Sequence, residues 1–598
     1  MMQPDGRFAL LDDEDGRAIL LSDFRRLISF DGRLDPHGDL ESVFAGIESA
    51  TARGEWVVLA ADYELGACVE PAIAAEARGQ QRLRAWVFGQ SLSLNVGEVK
   101  AFLDDQLAGI PEHERAAGVA EMYVALDAEG YAQEVEQIRS WIRAGDCYQI
   151  NLTFPIDFRS YGHPLVLYAR LRERQPVRYG AFIATPEETL LSFSPELFFE
   201  RKASRVLTRP MKGTAARGVT PEDDETQRLV LLASEKERAE NIMIVDLLRN
   251  DLGRLALPGK VHVESLCEAE AYPTLWQVVS TISADLPEAS LFDLFRALFP
   301  CGSITGAPKI AAIQKIAMLE SEPRGVYTGA LGWVAPGGDC RFNVAIRTLE
   351  VAQNGHARLG VGSGIVIDAD PQREYAECLL KASFLTGFDP GFELIETMRL
   401  EQGTYALLDY HLERLVASAR VLGFGCELAA ITDALAVHAI ENSDGVRRVR
   451  LLLAHNGRGE IASASLLEES SAPRYALFSD EILDPNDYLL HHKTTARSRY
   501  DRALQALLDR PHIFDAIFLN ARGEVCEGAR SNVFVERDGV LLTPPLGCGL
   551  LPGVMRRHLL ESGRAVEHVL YKEDLLDASA VYLANALRGL IVVSVLTE

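Results

Sequence analysis

No CxxC pair occurs among the nine cysteines, which lie at Cys68, Cys147, Cys267, Cys301, Cys340, Cys378, Cys426, Cys526 and Cys548. An odd, scattered set in so long a chain does not make a disulfide framework and fits a reducing cytoplasm. The first residues, MMQPDGRFALLDDEDGR, have neither the basic start nor the apolar core of a secretory leader. No run approaches the ~18 apolar residues of a membrane span. An excess of basic residues is also missing. The net charge of -26 argues against a general binder of nucleic acid or anionic membranes, although a locally basic pocket could still take a small anion. Two glycine-rich stretches fail as nucleotide motifs. Residues 301–309 (CGSITGAPK) lack the GK[ST] ending of a phosphate-cradling loop. Residues 360–364 (GVGSG) precede a short apolar strand rather than a helix, so they are not a dinucleotide fingerprint. There is no internal repeat and no low-complexity tract.

What remains is an ordinary globular composition, 48% hydrophobic and 24% charged, over 598 residues. That length implies two or more domains. A boundary falls at the GFDPG stretch, residues 387–391, giving domains 1–388 and 389–598. The second has about 210 residues, enough for its own core. The pattern is α+β. Residues 130–144 read as a helix ending near Gly145-Asp146, and 147–158 as a strand. Residues 190–201 read as strand with a turn at Ser194-Pro195, 392–400 as a strand, and 410–422 as an amphipathic helix.

Two features carry chemistry. In residues 209–218 (RPMKGTAARG), Lys212 follows a proline turn and precedes a Gly-Thr pair, so its amine can project from a loop that admits a ligand. On these residues alone it is equally a solvated turn lysine. The other feature is a repeated glutamate spacing. Residues 234–252 (SEKERAENIMIVDLLRNDL) form a helix pattern with Ser234 as cap and Glu237 at the capping-box position. Glu237 and Glu240 share a face there, as do Glu374 and Glu377 in the helix predicted over 371–385. Two such pairs could offer Mg²⁺ the oxygen ligands it takes, or could be solvated charged faces. The N–H groups of GVGSG could bind a carboxylate, or the stretch could be a plain hairpin turn.

AENIMIVDLLRNDLGR, FPCGSITGAPK, RGVYTGALG, FNVAIRTLE and GVGSGIVIDADPQREYAE follow one another over about 150 residues. In these blocks the first domain resembles the chorismate-utilising enzymes: anthranilate synthase component I, aminodeoxychorismate synthase component I, and the isochorismate and salicylate synthases. The resemblance implies two large antiparallel sheets packed together with helices outside. It implies Glu240 and Glu377 as Mg²⁺ ligands, supported by Glu237 and Glu374. Gly213, Thr214, Ser303, Tyr327, Arg347 and the backbone of Gly362, Ser363 and Gly364 would contact chorismate. Lysine at position 212, where anthranilate synthases carry alanine, marks the aminodeoxychorismate synthases. Its amine would act as nucleophile at ring carbon 4, to be displaced by ammonia. It must be neutral to attack, which burial or the neighbouring Arg209 or Arg217 could favour. Many members have histidine where this chain has Gln277, and that histidine is linked with pyruvate elimination. Its absence fits a synthase that stops at aminodeoxychorismate. No GxCxGxQ nucleophile elbow is present, so glutamine-derived ammonia would come from a separate amidotransferase subunit, or free ammonia would be used.

YHLERL, HHKTTARSRYD, CEGARSNVF, LLPGVMR and ANALRGL make the second domain similar to the fold-type IV α+β enzymes that use pyridoxal 5'-phosphate. These include branched-chain and D-amino-acid aminotransferases and aminodeoxychorismate lyase. By that resemblance Lys493 bonds the cofactor and moves the substrate α-proton. Glu527 pairs with the pyridinium nitrogen and Arg414 binds the phosphate. Ser531, Asn532, Val554, Met555 and Asn585 fall at further cofactor contacts. Ala496 stands where lyases often have asparagine, and Met555 where a threonine hydroxyl would meet the phosphate. Homodimers are common in this group.

Together the two resemblances imply a bifunctional enzyme that converts chorismate and ammonia to 4-amino-4-deoxychorismate and then to p-aminobenzoate for folate. The alternatives are a synthase, of aminodeoxychorismate or anthranilate, fused to a true class IV aminotransferase or to an inactive docking domain.

Overall fold

The computed structural model describes residues 7–596 apart from 14–15, 34–38, 77–78, 273–274 and 467–472. The chain forms two compact units. One comprises the residues through Leu107, Tyr123–Arg159 and Tyr168–Thr386. The other comprises Ala108–Met122, Ser160–Leu167 and the residues from Gly387 onward, so two short N-terminal segments belong with it that a single cut at 388/389 leaves in the first domain. No helix among the described residues is long and apolar enough to cross a membrane.

The first unit is built on large antiparallel sheets joined into one hydrogen-bonded network of 18 strands among the described residues. Long strands link them. Leu275–Asp285 alone pairs with Arg205–Arg209, Met211–Ala216 and Val261–Ala271. The helix predicted over 234–252 spans Glu235–Gly253, and the Ser234 hydroxyl accepts the Glu237 N–H at 3.3 Å. Its buried residues, Asn241, Ile244, Val245, Leu248 and Leu252, form one stripe. Glu237 and Glu240 continue that stripe one turn earlier, where the helix clears the core. The helix Pro371–Thr386 repeats the arrangement: Cys378, Ala382 and Leu385 are buried, and Glu374 and Glu377 precede them.

Two expected loops are strands. Residues 360–364 lie inside the strand His356–Ile365, with Gly360 opposite Pro155, Gly362 opposite Thr153 and Gly364 opposite Asn151. The glycines are there for close approach, not for turning. A Cβ at Gly360 would fall inside the Tyr327 ring, and one at Gly364 would strike the Gln149 side chain. Residues 211–216 also form a strand, Met211–Ala216, set off from Arg205–Arg209 by Pro210, which has no N–H to give to a ladder.

In the second unit a sheet of the strands Leu394–Glu401, Thr404–Tyr405, Val446–Leu453 and Gly459–Ser465 packs with the helices Leu408–Leu422 and Leu428–Glu441 around Met398, Leu415, Leu422, Leu435 and Leu451. An eight-stranded sheet carries the rest.

The crowding at Gly360 has a measurable consequence. Gly360→Ala forces Cβ into Tyr327 and is expected to lower stability by about 1–3 kcal/mol. Gly46→Ala, inside the helix Leu40–Ala52 with nothing within 4 Å of the new Cβ, is expected to raise it by about 0.5–1 kcal/mol. Chemical unfolding of the full chain checks both signs.

Candidate active sites

Lys212 stands on a bulge. Met211 pairs with Val279 and Thr214 with Gln277, and the register shifts between them. Gly213 takes φ +82° there, a conformation glycine adopts without strain. Its α-carbon faces Glu237, whose Oε2 would lie 2.9 Å from a Cβ. The lysine therefore projects from an edge strand rather than from the expected proline turn. The expected cationic neighbours are also neutralised. Arg209 is ion-paired with Glu270, and Arg217 with Asp224 at 2.6 Å. The groups in whose field Lys212 lies are carboxylates: Glu196, Glu240 and Glu377.

Glu196 was not foreseen. It is buried, and desolvation pushes its carboxyl up to about 7, against the opposing pull of the Ser303 hydroxyl and Lys212. The Ser303 hydroxyl donates to Glu196 Oε1 at 2.6 Å. Gln149 was also missed. Its amide is fully buried beside Gly364, and among the described residues neither its nitrogen nor its oxygen has a partner. The acid in SPELFFE and the amide in CYQINLTF each sit in an apolar strand pattern. That position is the only sign of them in the sequence.

The four glutamates gather in part. Glu240 and Glu377 feel one another across the two helices, and burial raises the Glu240 carboxyl. Burial also raises Glu374, which the Ser363 hydroxyl counteracts. Lys236 lies 4.0 Å from Glu240 and Lys381 lies 2.8 Å from Glu377. Among the described residues no group of three His, Cys, Asp or Glu side chains is arranged to hold a metal ion. The donor chemistry nevertheless fits Mg²⁺, which commonly uses one or two carboxylates and completes its shell with water and substrate oxygens.

Arg347 is half-buried, and among the described residues no carboxylate pairs with it; desolvation lowers its pKa. An uncompensated half-buried cation is an anion site in waiting. Tyr327 lies flat over Gly360. The strand carrying Gly362, Ser363 and Gly364 is paired along one edge with Gln149–Tyr161, while its other partner, Thr348–Ala352, stops at Leu359. That leaves the second edge of 360–364 without a strand partner, and the Gly362 carbonyl accepts from Lys381 Nζ at 2.9 Å. The Ser363 hydroxyl lies 2.9 Å from that of Tyr131 and also reaches Glu374.

The second unit encloses a cavity of about 270 Å³ lined by Lys493, Glu527, Arg414, Ser531, Asn532, Val554 and Asn585, among others. Lys493 is pinned by its own carbonyl, which accepts the Ile395 N–H at 2.8 Å. Burial, reinforced by Arg414 and Arg497, lowers its amine to about 8. Burial raises Glu527 to about 7, although the Tyr500 hydroxyl donates to Oε1 at 2.6 Å and the Leu551 N–H to Oε2 at 3.1 Å. Arg414 makes two hydrogen bonds to Glu396, at 2.9 and 2.7 Å, and Glu396 also contacts His411 Nδ1 at 2.6 Å. Val554 opens the helix Val554–Glu561 and Asn585 anchors the turn before Gly589. Met555 does not line the cavity. It packs against the cluster of Phe534, Leu541 and Leu559.

The fit to pyridoxal phosphate rests on this chemistry: a half-buried amine of depressed basicity, a buried acid, and His411, which lines the cavity and whose Nε2 is buried with no partner among the described residues. Such orphaned polar atoms are rare in native folds unless a ligand satisfies them.

Residues 27–387 match the family of chorismate binding enzymes, and residues 393–596 match amino-transferase class IV. Aminodeoxychorismate synthase component 1 of Bacillus subtilis is 37% identical over 295 residues, 49% of this chain and 63% of that protein. Anthranilate synthase component 1 of Thermus thermophilus is 38% identical over 284 residues, 47% of this chain and 61% of that protein. The chain thus spans less than two thirds of the length of these relatives. Anthranilate synthase component I from Streptococcus pneumoniae shares the fold of the first unit, with a TM-score of 0.51 at 23% identity over 64% of this chain and 93% of that one. Matched over more than half its length, the chain belongs to the chorismate binding enzymes and continues into a class IV amino-transferase domain.

Proposed function

We propose that the chain makes p-aminobenzoate from chorismate and ammonia in two steps, one in each unit. The observation that carries the reading is the placement of a lysine beside the buried acid Glu196 and the Glu240–Glu377 pair, in a chain that also holds the Lys493–Glu527 cavity. Near-equal identity to an aminodeoxychorismate synthase and an anthranilate synthase does not separate the two chemistries. Lys212 is the residue that does.

In the first step Arg347, Tyr327, Ser303, Gly213, Thr214 and the strand edge at Gly362, Ser363 and Gly364 hold the carboxylates and ring of chorismate. Glu240 and Glu377, with Glu237 and Glu374 behind them, would hold Mg²⁺, which would supply positive charge at the ring carboxylate. Glu196, half-protonated near neutral pH, gives its proton to the 4-hydroxyl, which leaves as water while the Lys212 amine adds to the ring. Ammonia then displaces the lysine. One of its protons is returned to the acid, and the ring keeps nitrogen on carbon 4. Ammonia comes from a separate amidotransferase subunit or from solution.

In the second step pyridoxal phosphate, when bound, would supply an electron sink for the carbon next to the substrate amine. Lys493 holds the cofactor end of the cavity and moves the proton at that carbon. Glu527 keeps a protonated ring nitrogen paired. Arg414, Ser531, Asn532, Val554 and Asn585 would surround the phosphate end. Loss of the proton and of pyruvate leaves the aromatic ring.

Full-length protein given chorismate, ammonium, Mg²⁺ and pyridoxal phosphate should release p-aminobenzoate and pyruvate. Anthranilate as the product would overturn the first step, and amino transfer to a 2-oxo acid without aromatisation would overturn the second. Lys212→Ala should lower aminodeoxychorismate formation on the order of 10³-fold, and Lys493→Ala should let it accumulate while p-aminobenzoate disappears.

Glu196 also predicts a pH signature. Its folded pKa lies above the ordinary value, so the folded state binds the proton more tightly. This stability is fully present below about pH 4.5 and is lost as pH rises through about 7. Glu196→Gln cannot ionise. Its melting temperature relative to the parent should therefore be higher at pH 8 than at pH 5, as thermal unfolding at the two pH values would measure.

A further inference from the structure

The Lys212 bulge is held by a single side chain from the neighbouring strand. Gln277 Nε2 donates to the Gly213 carbonyl at 2.8 Å, and the Thr214 hydroxyl donates to Gln277 Oε1 at 3.0 Å. The amide can face only one way, because a carbonyl only accepts and therefore requires the nitrogen. Gln277 is nearly buried, and Trp276 beside it is locked by its indole N–H to Asp224 at 2.9 Å and by the Arg217 guanidinium over its ring. The strand Met211–Ala216 has no other pairing partner than Leu275–Asp285 among the described strands, and its ladder is interrupted where Lys212 and Gly213 sit. Without the amide, the bulge would keep the φ +82° glycine and its close approach to Glu237, but not the side-chain hydrogen bond to the Gly213 carbonyl.

We infer that Gln277 is the positioning residue for Lys212: its amide clamps Gly213 and Thr214 on either side and so fixes where the lysine amine starts from. The amide suits this task better than an imidazole. It carries donor and acceptor side by side on one carbon, whereas a neutral imidazole carries them on opposite edges of the ring. Substitution by glutamine at a position where the resemblance expects histidine thus replaces a proton-transfer group with a backbone clamp. The inference rests on the reading of Lys212 as nucleophile.

Three quantities are measured on the full-length protein: the rate of amination of chorismate, the affinity for chorismate, and the rate at which chorismate without ammonium leaves a covalent adduct, chorismate less one water, detected by intact-protein mass spectrometry. Gln277→Leu should slow both amination and adduct formation by up to about 10²-fold, the cost of a misplaced reacting group, with chorismate affinity changed by less than about 2-fold. Gln277→Glu keeps the shape but cannot donate to Gly213, and should behave the same way, which covers the case where the leucine variant folds poorly. At saturating chorismate Thr214→Val should slow adduct formation, because it loses the hydroxyl that donates to Gln277 Oε1. The Gln277→Leu/Thr214→Val double variant should be no slower than Gln277→Leu, because both break one clamp. If Gln277→Leu and Gln277→Glu form the adduct within about 2-fold of the parent rate while Lys212→Ala forms none, the clamp is wrong and the nucleophile stands. If Lys212→Ala aminates chorismate normally, the reading of Lys212 falls and the clamp with it.

Discussion

Taking a carboxylate out of water is the constraint on which both units depend. Glu196 and Glu527 are each raised by burial from 4.5 to about 7, and each lies in the field of a lysine, Lys212 or Lys493, that pulls the other way. A shift of that size corresponds to roughly 3 kcal/mol against ionisation. Neither fold needs these acids buried for packing, since aliphatic side chains would fill the space without the penalty. What burial gives is an acid half-protonated at neutral pH, the condition for passing protons in either direction. At Glu196 that cost falls where the proposed chemistry moves a proton; at Glu527 it falls where the ring nitrogen of the proposed cofactor would share one.

Charge compensation explains how the glutamate pairs coexist. Glu237, Glu240, Glu374 and Glu377 would repel one another, and Lys212, Lys236 and Lys381 stand among them. A divalent cation bound by Glu240 and Glu377 would relieve the same repulsion. It would also release lysines that otherwise serve as counter-ions. The neutralised state of Arg209 and Arg217 belongs to the same balance: each has its own carboxylate, so neither adds charge at Lys212.

The helices of both sites were legible in the sequence because their signals are local. Ser234 caps where a cap was expected, and a stripe at helical spacing fixes which face carries Glu237 and Glu240. Strands were legible where they are apolar, as at Gln149–Tyr161 and Leu394–Glu401, but not where glycine breaks the pattern. Residues 211–216 and 360–364 read as loops because glycine, proline and small residues usually mark turns. Here the glycines serve contacts between segments far apart in the chain, such as the Tyr327 ring over Gly360, and no local pattern encodes a neighbour that distant in sequence. Glu196 and Gln149 were missed for the same reason. An acid or amide in an apolar strand is remarkable only once its burial is known, and burial is a property of the fold.

The chemistry of the two units constrains the reading further. Under the proposed reading the second unit takes an amine, so the first unit must hand on a compound that carries one and has not yet become aromatic. A synthase that eliminated pyruvate itself would release an aromatic amine with nothing left to remove, and the Lys493–Glu527 cavity would have no chemistry to complete. Retention of the enolpyruvyl group is what gives the second unit a substrate. Under the proposed reading that requires amination without elimination, and the residues around Lys212 would serve it: an amine to enter the ring, Glu196 to protonate the departing hydroxyl, and at position 277 an amide that holds the Gly213 carbonyl and cannot accept the ring proton whose loss would drive elimination.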